Sequence, residues 1–280
     1  MKTLQQAASQ ALAMMDLTSL NADDDAARIE ALCRRTATEF GSPAAVCVYP
    51  AFIDAADRQL RELGLRDRVR IATVTNFPDG SVNAERAARE TRAAVVAGAD
   101  EVDVVFPYKA LINGDTASGR ALVSACREAC GDQRLKVILE TGELERPELI
   151  RQAAEIALDA GADFLKTSTK TSTGKVATLE AAEILLIAIR DSGRDVGFKA
   201  AGGIRTSEDA QAYLALAERL MGADWLTPAH FRFGASGLLD ALLATLSARP
   251  RRQRTAATES SGKNERRRRV VTTAHEERRC

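Results

Sequence analysis

The sequence predicts a (β/α)₈ barrel, the TIM-barrel architecture, and three observations carry that prediction. Eight short apolar, β-branched runs alternate with stretches whose apolar residues recur at spacings of three and four, the pattern of strands and amphipathic helices taken in turn. The tripeptide Gly-Ala-Asp occurs at 98, 161 and 222, so its copies are 63 and 61 residues apart. Each interval is the length of two strand–helix units of about 30 residues. Finally, 280 residues, 45% of them hydrophobic, suffice for one closed barrel and its coat of helices.

Taken in order, the chain opens on an alanine-rich helix from about Leu4 that precedes the first strand as an extra element. It contains no apolar signal core, so nothing directs the protein to secretion. Strands are expected at 14–17, 45–49, 69–75, 102–106, 137–140, 164–169, 196–199, and 224–226 continuing toward 233. Helices are expected at 84–97, 120–129, 147–160, 179–192 and 207–221. The glycine of each Gly-Ala-Asp closes a helix, and a strand follows it. Five residues beyond the three glycines stand Asp103, Lys166 and Thr227, expected at one depth in the barrel. Asp103 and Lys166 then point into one cavity near the C-terminal ends of strands four and six, where this architecture places catalytic groups.

The run Phe164-Leu165-Lys166-Thr167-Ser168-Thr169 sets a lysine at the end of a buried strand. Burial disfavours the charged form of lysine, and a neutral lysine is the side chain that condenses with carbonyl compounds. Strand seven brings a second lysine, Lys199, whose charge repels that of Lys166 and favours its loss of a proton. The tetrapeptide Lys-Thr-Ser-Thr occurs twice, so Lys170 is the alternative to Lys166. Distance from Gly161 selects Lys166 and leaves Lys170 in a loop at the mouth. Gly202 and Gly203 follow strand seven, with Thr206 and Ser207 opening the next helix, and Ser236 and Gly237 follow strand eight. Those are the two places where such barrels cup a phosphate, Ser236 with its hydroxyl and Gly237 with its amide.

Other chemistries find no support. The only histidines are His230 and His275, the second in the tail, so a three-histidine zinc site is not available and no metal is expected. Neither a Walker A run nor GxGxxG occurs, and no cofactor is expected. The five cysteines lack CxxC spacing, which fits a reducing cytoplasm. No apolar run reaches the roughly 18 residues of a membrane span. Residues 249–280 carry eleven basic against four acidic groups, a net +7, and no aromatic residue. They read as a disordered, solvated tail following a catalytic barrel at 1–248, with no specific nucleic-acid partner.

The motifs assembled here resemble deoxyribose-phosphate aldolase from about Met14 to Leu246. The carriers are MDLTSL at 15–20, VCVYP at 46–50, IATVTNFP at 71–78, GADEVDVVFPY at 98–108, KVILETGEL at 136–144 and GADFLKTST at 161–169, with matching strings at 196–205 and 232–239. The resemblance implies a metal-free class I aldolase that splits 2-deoxy-D-ribose 5-phosphate into D-glyceraldehyde 3-phosphate and acetaldehyde, in deoxyribonucleoside catabolism. Residue by residue, it implies Lys166 as the Schiff-base lysine, Lys199 as the lysine that tunes it and Asp103 as the acid/base carboxylate. Asp16 and Lys136 match polar positions behind these groups, Thr18 and Cys47 match residues near the substrate, and Gly174, Gly202, Gly203, Ser236 and Gly237 fall at the phosphate. A homodimer is the analogy with related barrels.

The sequence also departs from the family pattern. The doubled Lys-Thr-Ser-Thr is followed by a shortened stretch to Thr178, Ala200 stands in place of a usual proline, and Gly237 in place of a common second serine. The last tyrosine is Tyr213, whereas some bacterial relatives carry a tail tyrosine that assists proton transfer. Two alternatives therefore stay open: a phosphosugar-binding barrel without turnover, and a Schiff-base aldolase or transaldolase of another phosphosugar.

Overall fold

The computed structural model describes residues 2–169 and 178–248. Eight parallel strands close into a barrel in chain order, with the last pairing to the first. They are β1 Met15–Thr18, β2 Ala45–Val48, β3 Arg70–Thr75, β4 Glu101–Val105, β5 Arg134–Ile138, β6 Phe164–Lys166, β7 Gly197–Ala201 and β8 Phe231–Ala235. The helices are α1 Leu4–Ala13, α2 Ala26–Arg34, α3 Ile53–Glu62, α4 Ala84–Val96, α5 Tyr108–Ile112, α6 Ala117–Cys130, α7 Thr141–Leu144, α8 Pro147–Asp159, α9 Leu179–Ser192, α10 Ser207–Met221 and α11 Leu238–Ser247. The extra helix α1 starts on a capping box between Thr3 and Gln6 and packs against α10 and α11. No helix among the described residues is long and apolar enough to cross a membrane. Gly174, Lys170 and the expected tail at 249–280 lie outside the described residues.

The eighth strand is a correction. Residues 224–226, expected to begin it, fall in or just after a 3₁₀ turn, Ala223–Trp225, and the strand starts only at Phe231. Trp225 stacks on His230 with centroids 5.6 Å apart, and Pro228 has no N–H to give a ladder. Thr227 is consequently in a turn and not at the depth of Asp103 and Lys166. The fifth strand also begins earlier than expected, which places Lys136 in its middle.

Alternate residues of each strand face inward, and the register sorts them into layers. In this architecture each layer takes four side chains from alternate strands, one residue of stagger per strand. Following the pairing around the barrel gives a lower layer of Ala45, Glu101, Phe164 and Arg232. Above it lie Asp16, Ala72, Lys136 and Lys199, and above those Cys47, Asp103, Lys166 and Gly234. Asp103 and Lys166 do share a layer, as the spacing from Gly98 and Gly161 predicts.

Such interiors are ordinarily filled by branched aliphatic side chains. Here, in the three layers and just above them, the apolar filling among the described residues is Phe164 in the lower layer and a patch of Ala45, Cys47, Ala72 and Val74 on the β2–β3 side. The main apolar core instead lies between the strands and the helices, where Val102, Val104, Leu135, Val137, Leu165, Phe198, Phe231 and Phe233 turn outward. Each fully buried residue of that kind contributes about 1.5–3 kcal/mol. This outer shell carries the fold and leaves the axis to charge.

Candidate active site

Lys166, Asp103, Lys199, Lys136 and Asp16, drawn from five strands, meet inside the barrel, all buried. Asp103 is the centre. Its Oδ2 accepts from Lys166 Nζ and from Lys199 Nζ, each at 2.8 Å, and its Oδ1 accepts from Lys136 Nζ at 2.8 Å. Lys199 donates also to Asp16 Oδ2 at 2.5 Å.

Two residues that the sequence reading passed over complete the cluster from the lower layer. Arg232 donates to Asp16 Oδ1 at 2.6 Å and grips both oxygens of Glu101 at 2.7 and 3.1 Å. Glu101 in turn pairs with Lys136 at 2.6 Å. Both carried a signal: each is a charged residue at an inward, alternate position of an otherwise apolar strand, two before Asp103 and opposite Lys199 in register.

Burial alone would push the Asp103 carboxyl upward, but Lys136, Lys166 and Lys199 together hold it well below the usual carboxylate range. Asp16 behaves alike, its burial outweighed by Lys199, Arg232 and Lys136. Burial would lower Lys199, yet Asp103 and Asp16 raise it well above an ordinary lysine, and Asp103 and Glu101 likewise raise Lys136. Those two lysines keep their protons. The chain of Lys199 itself passes Gly234, where a Cβ would stand 2.8 Å from its Cε.

Cys47 sits in the upper layer with Lys166, and burial pushes its thiol upward. Thr18 is half-buried one step nearer the mouth and donates to the Asp16 carbonyl at 2.9 Å. Glu140 follows β5 in the left-handed region at φ 55° and was not anticipated. One of its oxygens accepts from Thr169 N at 2.9 Å, tying β5 to the segment after β6. Its other oxygen and the Thr169 hydroxyl are buried with no hydrogen-bond partner among the described residues, and burial raises the carboxyl above its ordinary value.

Gly202 and Gly203 follow β7 at φ 100° and 83°, a backbone that glycine adopts freely. The exposed Ser236 and Gly237 lie between β8 and α11. Both turns are thus at the end of the barrel toward which Lys166 lies. At the opposite end a cavity of about 580 Å³ opens among Pro43, Arg70, Asp100, Arg134 and the lower-layer pair Glu101 and Arg232. It contains none of the lysines. His230 is at that end too, just ahead of β8 and two residues before Arg232, and is hydrogen-bonded to Asp195 at 2.7 Å.

The profile of the DeoC/LacD family of aldolases matches residues 10–244. Among solved structures, a protein from Toxoplasma gondii assigned as a deoxyribose-phosphate aldolase superposes with a TM-score of 0.79 at 25% identity, covering 86% of this chain and 94% of that one. One from Coccidioides immitis with the same assignment gives 0.73 at 28%, covering 85% and 86%. The tetrameric deoxyribose phosphate aldolase of Aeropyrum pernix gives 0.65 at 22%, covering 88% and 93%, a likeness of fold alone. The family match runs through all eight strands and the charged cluster they enclose, and the chain therefore belongs to the DeoC/LacD family of aldolases.

Proposed function

We propose that this aldolase cleaves 2-deoxy-D-ribose 5-phosphate into D-glyceraldehyde 3-phosphate and acetaldehyde through a Schiff base on Lys166. The observation that carries the reading is the position of Lys166. It is the lysine of the upper layer and, among the described residues, makes a single carboxylate contact, whereas Lys136 and Lys199 are each held by two carboxylates or more.

In this reading neutral Lys166 attacks C1 of the open-chain sugar, and the carbinolamine loses water as Asp103 relays protons through a water molecule. The iminium then draws electrons from the C2–C3 bond as the C3 hydroxyl gives up its proton. Glyceraldehyde 3-phosphate leaves, and the enamine is protonated at C2 and hydrolysed to acetaldehyde and free lysine. Gly202, Gly203, Ser236 and Gly237 hold the phosphate and so fix the reacting carbons. Cytoplasmic location and a homodimer belong to the same reading.

Reduction with borohydride in the presence of acetaldehyde, followed by peptide mass spectrometry, tests it. A two-carbon adduct on Lys166 is expected. An adduct on Lys170 instead would move the nucleophile, and no adduct on either would favour a barrel that binds phosphosugars without turnover. Cleavage assays with other phosphosugars decide the substrate.

A further inference from the structure

Arg232 enters the barrel from the end away from the mouth, and each of its three side-chain nitrogens has an acceptor. Nε donates to the Pro228 carbonyl at 2.5 Å, Nη2 to Glu101 Oε1 at 2.7 Å, and Nη1 to Asp16 Oδ1 at 2.6 Å and to Glu101 Oε2 at 3.1 Å. The Phe164 ring lies against the guanidinium, its centroid 5.8 Å from Cζ. A planar fork anchored on a turn, a carboxylate and a ring keeps one orientation, and in it Nη1 points at Asp16.

Asp16 is thereby held at both oxygens. Oδ1 takes Arg232, and Oδ2 takes Lys199 at 2.5 Å. Lys136 lies 3.7 Å from the same Oδ2, so a carboxylate released at Oδ1 has a second cation to turn toward. Lys199 in turn shares Asp103 Oδ2 with Lys166, at 2.8 Å each. Contacts thus run from Arg232 through Asp16 and Lys199 to Asp103, from the rear of the barrel to the oxygen that Lys166 uses.

We propose that Arg232 is a positioning residue: by fixing the orientation of Asp16 it keeps Lys199 on Asp103 Oδ2 beside Lys166. The inference rests on Lys166 as the Schiff-base lysine and Asp103 as its acid/base partner. What Arg232 supplies is geometry, and a positive charge at its place does not suffice. Arg232→Lys retains that charge, but as a point on a flexible stem, without the fork that reaches Pro228, Glu101 and Asp16 at once.

The test is a double-variant cycle on cleavage of 2-deoxy-D-ribose 5-phosphate by the full-length protein, with folding at the assay temperature confirmed by circular dichroism. Arg232→Lys should lower kcat by about tenfold or more, the effect of a small misplacement within a catalytic constellation. KM should stay within about twofold, because the turns after β7 and β8 lie at the other end of the barrel. Asp16→Asn should lower kcat likewise. Adding Arg232→Lys to Asp16→Asn should then cost less than about twofold more, since the carboxylate that Arg232 orients is already gone. Single-turnover assays keep the slower variants measurable. If Arg232→Lys does not fold, the near-isosteric Glu101→Gln takes its place: it loosens the anchor of the guanidinium and should lower kcat by a smaller factor at unchanged KM. Wild-type kcat in Arg232→Lys, or in Glu101→Gln where that variant stands in, would overturn the proposal. So would an equal fold-loss from Arg232→Lys with and without Asp16→Asn. Absence of any wild-type borohydride adduct on Lys166 would instead overturn the nucleophile assignment beneath it.

Discussion

Lys166 and Lys199 donate to one oxygen, Oδ2 of Asp103, at 2.8 Å each, although they stand on neighbouring strands and in different layers. The two ammonium groups are thereby held close across a single acceptor. Asp103→Asn should uncouple them. Leaving buried cations short of a countercharge costs about 3 kcal/mol or more, and loss of an acid/base group lowers kcat by roughly 10²–10⁴-fold. Urea unfolding and steady-state kinetics measure the two effects, and a variant with wild-type kcat would remove Asp103 from the reaction.

Gly234 occupies the fourth place of the upper layer. In Gly234→Ala the new Cβ would meet Lys199 Cε at 2.8 Å and Ala201 Cβ at 3.0 Å. Lys199 cannot yield without leaving Asp16, so we expect a loss of about 1–3 kcal/mol together with lower kcat. Gly237→Ala provides the contrast, because nothing lies within 4 Å of its Cβ. Its stability should stay within about 0.5 kcal/mol of wild type. If Gly237 binds phosphate, KM should rise for the phosphorylated sugar and not for free deoxyribose; parallel changes would remove it from the phosphate site.

The depressed carboxyls and Glu140 have opposite pH signatures. Asp16 and Asp103 lie below their unfolded value of about 3.9, so their contribution is complete above that pH and is lost as pH falls through their lower folded values. Glu140 lies above its unfolded value of about 4.3, so its contribution is complete below that pH and is lost as pH rises through its folded value. Glu140→Gln should therefore gain on wild type as pH climbs from 4 to 7. Guanidinium unfolding at several pH values reads the difference, and a gap that stays constant would contradict the burial argument.

His230→Ala should leave kcat/KM within about twofold, since the ring pairs with Asp195 and Trp225 at the end of the barrel opposite the mouth. A loss of tenfold or more in kinetics would show that this end of the barrel reaches the chemistry by another route.

The fold was legible because eight apolar runs alternate with amphipathic helical stretches, and the Gly-Ala-Asp repeat at 98 and 161 spaces them by two strand–helix units. Lys166, Asp103 and Lys199 were legible because ionisable residues inside buried strands need a reason to be there. Glu101 was lost by starting its strand at the first apolar residue, Val102, which hid the inward position two before Asp103. Arg232 was lost with the eighth strand. The third Gly-Ala-Asp resembles the other two in sequence, yet Pro228 and the Trp225–His230 stack divert the chain before it reaches the sheet. Glu140 depends on a left-handed backbone at a residue other than glycine, which local sequence does not announce. The glycine and serine turns after β7 and β8 stand, as expected, at the C-terminal end of the barrel, while Gly174 falls outside the described residues.

An axis filled with ions has a consequence for anyone who selects this enzyme for heat resistance. Exchanging buried ion pairs for well-packed aliphatic residues is often neutral or gains about 1–4 kcal/mol. The shortest path to a higher melting temperature therefore leads through Arg232 and Glu101, toward the branched filling that barrels of this kind usually have. Screens that score survival alone would enrich such sequences. They would yield a sturdier barrel stripped of the charges that grip Asp16 and Lys136, and assays for turnover must accompany the heat.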